Sequence, residues 1–403
     1  MSLSGFIFIF CKLHFLENFC RCIIEYAEYS ENCCDSISLR LKGTNFAKFR
    51  LRMYRFFSIV APMLRIEDLK KDYYQPAEWM PHRATWTAWP AAANEWQDNL
   101  KPAQSQFIAM VRQIATSELV KVLVTNSQAR ALAENQLQGP NIEFVDIPYG
   151  DIWMRDTAPI FLRSKQNQTL ALASFAFNGW GGKYILPFDD EVGTAVSRVT
   201  DLPTCRVPMV FEGGSIDVNG AGTALTTTQC LLNKNRNPNL DEAEIQNLVQ
   251  AALGIRKLLW VKDGLLNDHT DGHIDNIARF VDAKTVLCMK PSGSDDPNRK
   301  TLDKIFSDLC KMTDAEGEPL TVIQVPSPGL LTDKYGKVIP ASYMNFYIAN
   351  KTVVVPTYGT NFDDEAVEQI GKYFPNRHTV GLRANAILTG GGSFHCITQQ
   401  EPL

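Results

Sequence analysis

Residues able to do chemistry gather in a few short strings of this chain. Gly390-Gly391-Gly392-Ser393-Phe394-His395-Cys396 sets a thiol behind three glycines and beside a histidine. Glycine opens backbone conformations closed to other residues and lets a ligand come close. A cysteine presented in this way is a candidate nucleophile, and the plainer reading is a buried thiol acting as a small hydrophobe. The densest polar string is Asn267-Asp268-His269-Thr270-Asp271-Gly272-His273-Ile274-Asp275-Asn276, followed by Ile277-Ala278-Arg279-Phe280-Val281. Gly272 breaks a helix, and the residues after it favour a strand beginning near His273. Side chains at i and i+2 share a strand face, which predicts that His273 and Asp275 project together. The alternative is a polar loop whose acids cap turns. His269 and His273 also stand four apart, a zinc-ligand spacing that works on a helix, but Gly272 and the missing HExxH glutamate disfavour it.

Three further strings hold carboxylates or aromatics beside turn residues. They are Trp153-Met154-Arg155-Asp156-Thr157-Ala158-Pro159, Phe211-Glu212-Gly213-Gly214-Ser215-Ile216-Asp217 and Phe177-Asn178-Gly179-Trp180-Gly181-Gly182-Lys183. Each alone reads as a turn or loop, with Asp156 hydrogen-bonded to nearby backbone. Together, a cysteine, a histidine and several carboxylates make a coherent reaction centre if the fold collects them. Two aspartates suit a planar cation, because guanidinium has five donors in a fixed fork that matches carboxylates. Cysteine would then attack the central carbon, and histidine would protonate the departing nitrogen before activating water.

The elements that must position these strings alternate between strand-like and helix-like patterns from Ile66 onward. Leu119–Val124 and Ile142–Ile147 are apolar runs of strand length, with Asn126-Ser127 opening a helix between them. Ile245, Leu248, Val249 and Ala252 share a helical face that Gly254 ends. Asn345–Ala349 and Thr352–Val355 read as a hairpin turned at Asn350-Lys351. Asp363 or Asp364 is expected to cap a helix bearing Val367, Ile370 and Phe374, closed by Pro375. Interleaved strands and helices with hairpins predict an α/β architecture, and the lack of a low-complexity linker predicts a single domain over residues 63–403.

Composition narrows the function classes. With 45% hydrophobic residues over 403 positions, the chain has ample material for a core, and its longest early apolar run, Gly5–Cys11, is too short to span a bilayer. Residues 1–35 carry a net −3 and residues 36–65 a net +7, so 66–403 must carry −8 to give the overall −4. An acidic body disfavours nucleic acid and favours a cationic substrate. Of ten cysteines, five crowd the first 35 residues and five scatter through the rest, a distribution that reads as reduced thiols rather than a disulfide framework. The first 62 residues lack a clean period. They read as a poorly ordered extension, as upstream sequence with Met53 or Met63 the natural start, or as a targeting segment, which the acids before position 36 disfavour.

From about residue 63 the strings resemble the agmatine deiminases, within the family that includes the bacterial-type peptidylarginine deiminases and the wider guanidine-modifying superfamily. The resemblance rests on Glu78-Trp79-Met80-Pro81-His82 with Trp86 and Trp89-Pro90, on Trp153–Asp156, Phe177–Lys183 and Glu212–Ser215, on Cys230–Asn233 with Asn235–Pro238, on Thr270–Asn276 and Ala341–Tyr347, and above all on Gly390–Gln400. Ala158 departs from the glycine found in many relatives. The resemblance implies a five-bladed, pseudo-symmetric α/β propeller, the pentein fold, with its site on the central axis. It implies Cys396 as nucleophile, His273 as general acid then base, Glu212 orienting and charging His273, and Asp156 and Asp275 gripping the guanidinium. Trp153 and Gly391 would line the substrate. His395 is left as a neighbour of the cysteine.

The implied reaction converts agmatine and water to N-carbamoylputrescine and ammonia in putrescine (polyamine) biosynthesis, with neither metal nor organic cofactor. The expected partner is a small cationic guanidine, with no nucleic acid and no membrane, and a homodimer is left open. The expected location is cytoplasmic, organelle import by the leader being the alternative. Deimination of peptidyl or free arginine, a metal-dependent amidohydrolase, and a non-catalytic guanidine- or polyamine-binding protein are the competing readings.

Overall fold

The described residues are built from one repeated topology, two antiparallel strands followed by a helix and a third strand parallel to the second. The computed structural model describes residues 63–403, and the reading of residues 1–62 as an extension lies outside the described residues. In the first unit, Ile160–Ser164 pairs antiparallel with Leu170–Ala176, helix Val192–Thr200 crosses over, and Thr204–Val210 returns parallel. The second unit runs Ile216–Val218, Thr223–Thr227, helix Glu242–Leu253 and Lys257–Val261. The third runs Ala278–Phe280, Thr285–Lys290, helix Arg299–Leu309 and Thr321–Pro326. The fourth runs Tyr347–Ile348, Thr352–Thr357, helix Asp363–Gly371 and His378–Arg383. A parallel pair requires such a crossover because a tight turn cannot reverse the chain and keep its direction.

The fifth unit joins the two ends of the described chain. Gln399–Pro402 pairs antiparallel with His82–Ala88, which is followed by helix Leu100–Ile114 and the parallel strands Leu119–Val124 and Ile142–Asp146. Among the described residues there are five sheets of three or four strands each, and they share no strands.

Local expectations hold where short-range patterning governs. Asn126 caps helix Ser127–Gln136 through a 2.9 Å bond from the Ala129 N–H. Helix Glu242–Leu253 buries Ile245, Val249 and Ala252 and ends at Gly254. The hairpin turns at Asn350-Lys351 between Tyr347–Ile348 and Thr352–Thr357. One expectation fails: Phe362, not Asp363, is the N-cap of helix Asp363–Gly371. Asp363 instead accepts bonds from the Tyr343 hydroxyl at 2.6 Å and the Gly359 N–H at 2.7 Å, tying the helix to the segments before and after the hairpin.

Buried ion pairs stitch the units together. The fully buried Arg279 of the third unit reaches Asp217 of the second at 2.7 Å and donates to the Phe346 carbonyl of the fourth at 2.9 Å. Its guanidinium also faces Glu78 at 3.0 Å. Losing one partner of such a buried pair costs on the order of 3–5 kcal/mol, so the interior is fixed by charge geometry as well as by apolar packing.

Candidate active site

The polar cluster is assembled from equivalent positions in the five units. Asp156 lies just ahead of strand Ile160–Ser164, Glu212 and Gly214 ahead of Ile216–Val218, His273 and Asp275 ahead of Ala278–Phe280, Asn345 ahead of Tyr347–Ile348, and Cys396 ahead of Gln399–Pro402. Every unit therefore delivers a polar or nucleophilic side chain from the segment that enters its first strand. Asp156, Glu212, His273, Asp275, Asn345 and Cys396 are all buried.

Local geometry differs from the strand reading at two of these positions. His273 precedes a short 3-10 turn, Ile274–Asn276, that contains Asp275, and the strand begins only at Ala278. Their juxtaposition comes from this turn and not from the pleat of a strand. The His273 N–H is tied to Thr270 Oγ1 at 3.1 Å, and Thr270 is in turn held by Asp268. Asp156 sits in the helical turn Met154–Thr157 and bonds at long range, accepting from Trp180 Nε1 at 2.9 Å and Gly214 N at 3.0 Å.

Cys396 Sγ accepts from Asn345 Nδ2 at 3.1 Å and lies 3.6 Å from Asp275 Oδ2. The side-chain oxygen of Asn345 also receives the His395 and Cys396 N–H groups at 3.1 and 3.3 Å, fixing the loop that carries the thiol. Asn345 lay within a recognised string but was given no role; the signal that finds it is its place ahead of the first strand of its unit. Burial, then the charges of Asp275 and Asp156, push the Cys396 thiol well above its ordinary range.

The acids around the thiol are not equivalent. Burial, then Asp275 and Glu212, push the Asp156 carboxyl well above its usual range. Asp275 is also lifted by burial, but the hydrogen bond and charge of His395 outweigh that and hold it below the usual carboxylate value. Burial pushes His273 down to about 3, against the pull of Asp275, so the imidazole is neutral in the unliganded protein. Neither of its ring nitrogens has a hydrogen-bond partner, and Asp275 Oδ1 and Glu212 Oε2 are also buried without one. Nδ1 of His273 stands 3.8 Å from Asp156 Oδ1.

Glu212 pairs with Arg236 at 2.8 Å, and Arg236 continues to Asp271, which Lys183 reaches at 2.7 Å. The Glu212 carboxylate, the Cys230 thiol and a His273 ring nitrogen lie within 4.8 Å of one another, the grouping of metal-ligand type found among the described residues. His269 is not part of it, its Nδ1 lying 3.3 Å from the Tyr184 hydroxyl, so the His269 and His273 zinc pair is not assembled. The Arg236 guanidinium on Glu212 opposes a cation at that trio.

Trp153 lies beside the thiol loop. Its indole stacks on Trp96 with ring centres 6.0 Å apart, and both indoles donate to Asp151 at 2.8 Å. A Cβ on Gly392 would meet both the Trp153 ring at 2.8 Å and Cys396 Sγ at 2.9 Å, while Gly391 needs its φ of +110° beside His269. The glycines thus let the thiol loop close onto an indole. Gly214 faces the space between the imidazole and the two aspartates, for a Cβ there would stand 2.5 Å from His273 Nδ1, 2.9 Å from Asp156 Oδ1 and 3.1 Å from Asp275 Oδ2. Gly214→Ala is expected to lower kcat/KM by about 100-fold, the cost typical of a displacement near 1 Å in a reacting geometry. Steady-state kinetics on the folded variant checks this, and an unchanged value would show that the space between these three groups is not used.

Comparison with solved structures defines the class first: the fold is that of the deiminases. The structure aligns with Enterococcus faecalis agmatine deiminase at a TM-score of 0.80 and 31% identity, covering 85% of this chain and 99% of that one. It aligns with a C. jejuni agmatine deiminase variant solved with substrate bound at a TM-score of 0.74 and 27% identity, covering 82% and 96%. The chain belongs to the Porphyromonas-type peptidyl-arginine deiminase family, whose model matches residues 74–402. Among curated relatives it is 37% identical to the agmatine deiminase of Stutzerimonas stutzeri over 82% of this chain and 95% of that protein.

Proposed function

We propose that residues 63–403 form one catalytic domain that hydrolyses a C–N bond of agmatine, releasing ammonia and N-carbamoylputrescine. The carrying observation is that His273 Nδ1, Asp156 Oδ1 and Asp275 Oδ2 meet beside Gly214, while both His273 ring nitrogens and Asp275 Oδ1 are buried without a partner. Each buried unpaired group costs about 1–3 kcal/mol, and a planar cation with five donors entering between two carboxylates supplies donors for the free Asp275 oxygen and for the imidazole lone pair. Relatives named agmatine deiminase support the same substrate.

In the proposed reaction the guanidinium docks on Asp156 and Asp275, and its charge favours transfer of the Cys396 proton to His273. The thiolate attacks the central carbon to give a tetrahedral adduct. The His273 imidazolium protonates one amino group, the C–N bond breaks and ammonia leaves an amidino-thioether on Cys396. Water then attacks the same carbon, yielding one proton to His273. As the C–S bond breaks, the hydroxyl of the adduct gives its remaining proton to the leaving sulfur, releasing the ureido product and restoring the thiol, while the His273 proton passes to the departing ammonia or to solvent. Glu212 supports the imidazolium from within 4.8 Å, while Trp153 and Gly391 shape the wall.

The charge inventory favours agmatine over arginine. Arg155 and Arg279 both face Glu78, at 3.3 and 3.0 Å, and Arg236 is paired with Glu212 and Asp271. A substrate α-carboxylate would therefore meet cations already matched to acids, in a site dominated by carboxylates. Assays of ammonia and ureido product are expected to give a kcat/KM for agmatine at least about 100-fold above that for free or peptidyl arginine, about 3 kcal/mol of discrimination. Equal or better turnover of either arginine would overturn the assignment of substrate, and turnover of none would favour the binding-protein reading.

A further inference from the structure

His395 was left in the sequence as a bystander to the thiol, and the structure corrects this. Its Nδ1 lies 2.7 Å from Asp275 Oδ2 and its Nε2 lies 2.8 Å from Glu78 Oε2. All three side chains are buried. Neutral imidazole has one N–H and one lone pair, so a neutral ring would turn its lone pair toward one carboxylate. Both acids are held below their ordinary range: burial raises Glu78, but Arg279, His395 and Arg155 lower it further, and Asp275 behaves likewise with His395 foremost. A carboxylate stands within hydrogen-bond distance of each ring nitrogen, and Glu78 is matched besides by Arg155 and Arg279, so a donor is required on both sides of the ring.

The arrangement is rigid at both ends. Glu78 is fixed by Arg155, by Arg279 and by the Ile348 N–H at 2.9 Å. The His395 backbone is fixed by Asn345 at 3.1 Å and by Arg155, which donates to its carbonyl at 3.3 Å. With Oδ2 of Asp275 taken by the imidazole, Oδ1 is the oxygen left without a partner. We infer that His395 is a positioning residue: as an imidazolium held between Glu78 and Asp275, it keeps Asp275 ionised and turns its other oxygen to the substrate guanidinium. This inference rests on the guanidine-deiminase reading and extends it. The two acids that grip the cation then have different duties, Asp275 standing permanently charged while Asp156 ionises on binding.

The groups facing Asp275 are His395, Cys396, His273, Arg279, Asp156 and Asp268. Among these, His395 is the cation in direct hydrogen-bond contact. Removing its charge raises the protonation range of Asp275, so the acid limb of the kcat/KM profile moves to higher pH. An opposite charge at this distance shifts a carboxyl by about 1–3 units.

The test has a spectroscopic and a kinetic arm. With six histidines in the chain, histidine-selective 15N labelling of the whole protein gives a tractable ring-nitrogen spectrum, in which the His395 signals are identified by their loss in His395→Gln. Both His395 nitrogens are expected to be protonated at pH 7, and a neutral tautomer there overturns the inference whether or not the protein turns over agmatine. His395→Asn keeps an N–H toward Asp275, and His395→Gln keeps one toward Glu78. Both are expected to move the acid limb up by about one pH unit, with KM for agmatine rising about tenfold in His395→Gln and less in His395→Asn. Folded variants with a lower Tm but an unmoved acid limb and KM would reduce His395 to a structural role. Should neither variant fold, uniform 13C and 15N labelling of the wild-type protein assigns the His395 ring nitrogens through their own backbone, and the protonation state on which the inference stands is still decided.

Discussion

Cys396→Ala is expected to lower ammonia release from agmatine by at least about 10⁴-fold, the scale on which removal of a nucleophile is felt, while the protein stays folded. Fold and activity separate here because Sγ has only weak contacts, from Asn345 Nδ2 at 3.1 Å and with Asp275 Oδ2 at 3.6 Å. The loop that carries it is instead held by backbone bonds to Asn345 and by the Arg155 N–H donating to the Cys396 carbonyl at 3.0 Å. Steady-state ammonia assays with a thermal melt check both halves, and substantial release by the variant would remove the thiol from its role. The pH behaviour of the same group follows from its surroundings. Burial and the charges of Asp275 and Asp156 raise the thiol, so the free protein holds it protonated at neutral pH and the thiolate fraction grows as pH rises. Alkylation of Cys396 by iodoacetamide, followed by mass spectrometry, is expected to be slow at pH 7 and to accelerate about tenfold per pH unit above it. A fast, pH-independent reaction would show a thiolate formed before substrate arrives.

Asp156→Asn is expected to cost about 10³-fold in kcat/KM with KM raised, the effect of about 4 kcal/mol that follows from breaking one arm of a buried charge pair. Both Asp156 oxygens accept N–H bonds, from Gly214 and Trp180. An amide must turn its own N–H₂ toward one of them, so the lost charge is accompanied by a misdirected donor. The sign of the pH effect is also set. Burial, Asp275 and Glu212 raise the Asp156 carboxyl, so a proton competes with the guanidinium, and KM for agmatine falls as pH rises through that range in the wild type. The variant loses this component. Removing one of three neighbouring buried acids also relieves repulsion, so Tm is expected to hold or rise, as at sites where function opposes stability. Wild-type kinetics across the pH range in Asp156→Asn would refute the two-carboxylate clamp.

Much of the architecture is legible from short-range pattern. Leu119–Val124 is a β-rich apolar run flanked by polar residues, and it forms a strand with those bounds. The helical face of Ile245, Val249 and Ala252, the Asn126 cap and the Asn350-Lys351 hairpin turn follow from periodicity and local hydrogen bonding. The expectation failed at His273 and Asp275, where Thr270 Oγ1 captures the His273 N–H and a 3-10 turn replaces the start of a strand. It failed again at Asp363, whose carboxylate is drawn from its own helix end to Tyr343, Tyr358 and Gly359. In both places a side-chain to backbone bond outweighs the generic propensity.

By itself, the sequence determined the α/β alternation, an acidic body suited to a cationic partner, and which strings hold a thiol, an imidazole and carboxylates, because these depend on residue type and on neighbours a few positions away. Only the tertiary structure decided that Asp156, Glu212, His273 with Asp275, Asn345 and Cys396 occupy equivalent places ahead of the first strands of five units. It alone joined Glu78 to Asp275 through His395, residues 317 and 120 positions from that histidine. Hydrogen bonding and charge act over a few ångströms of space, and distance along the chain carries no record of which groups will be brought that close.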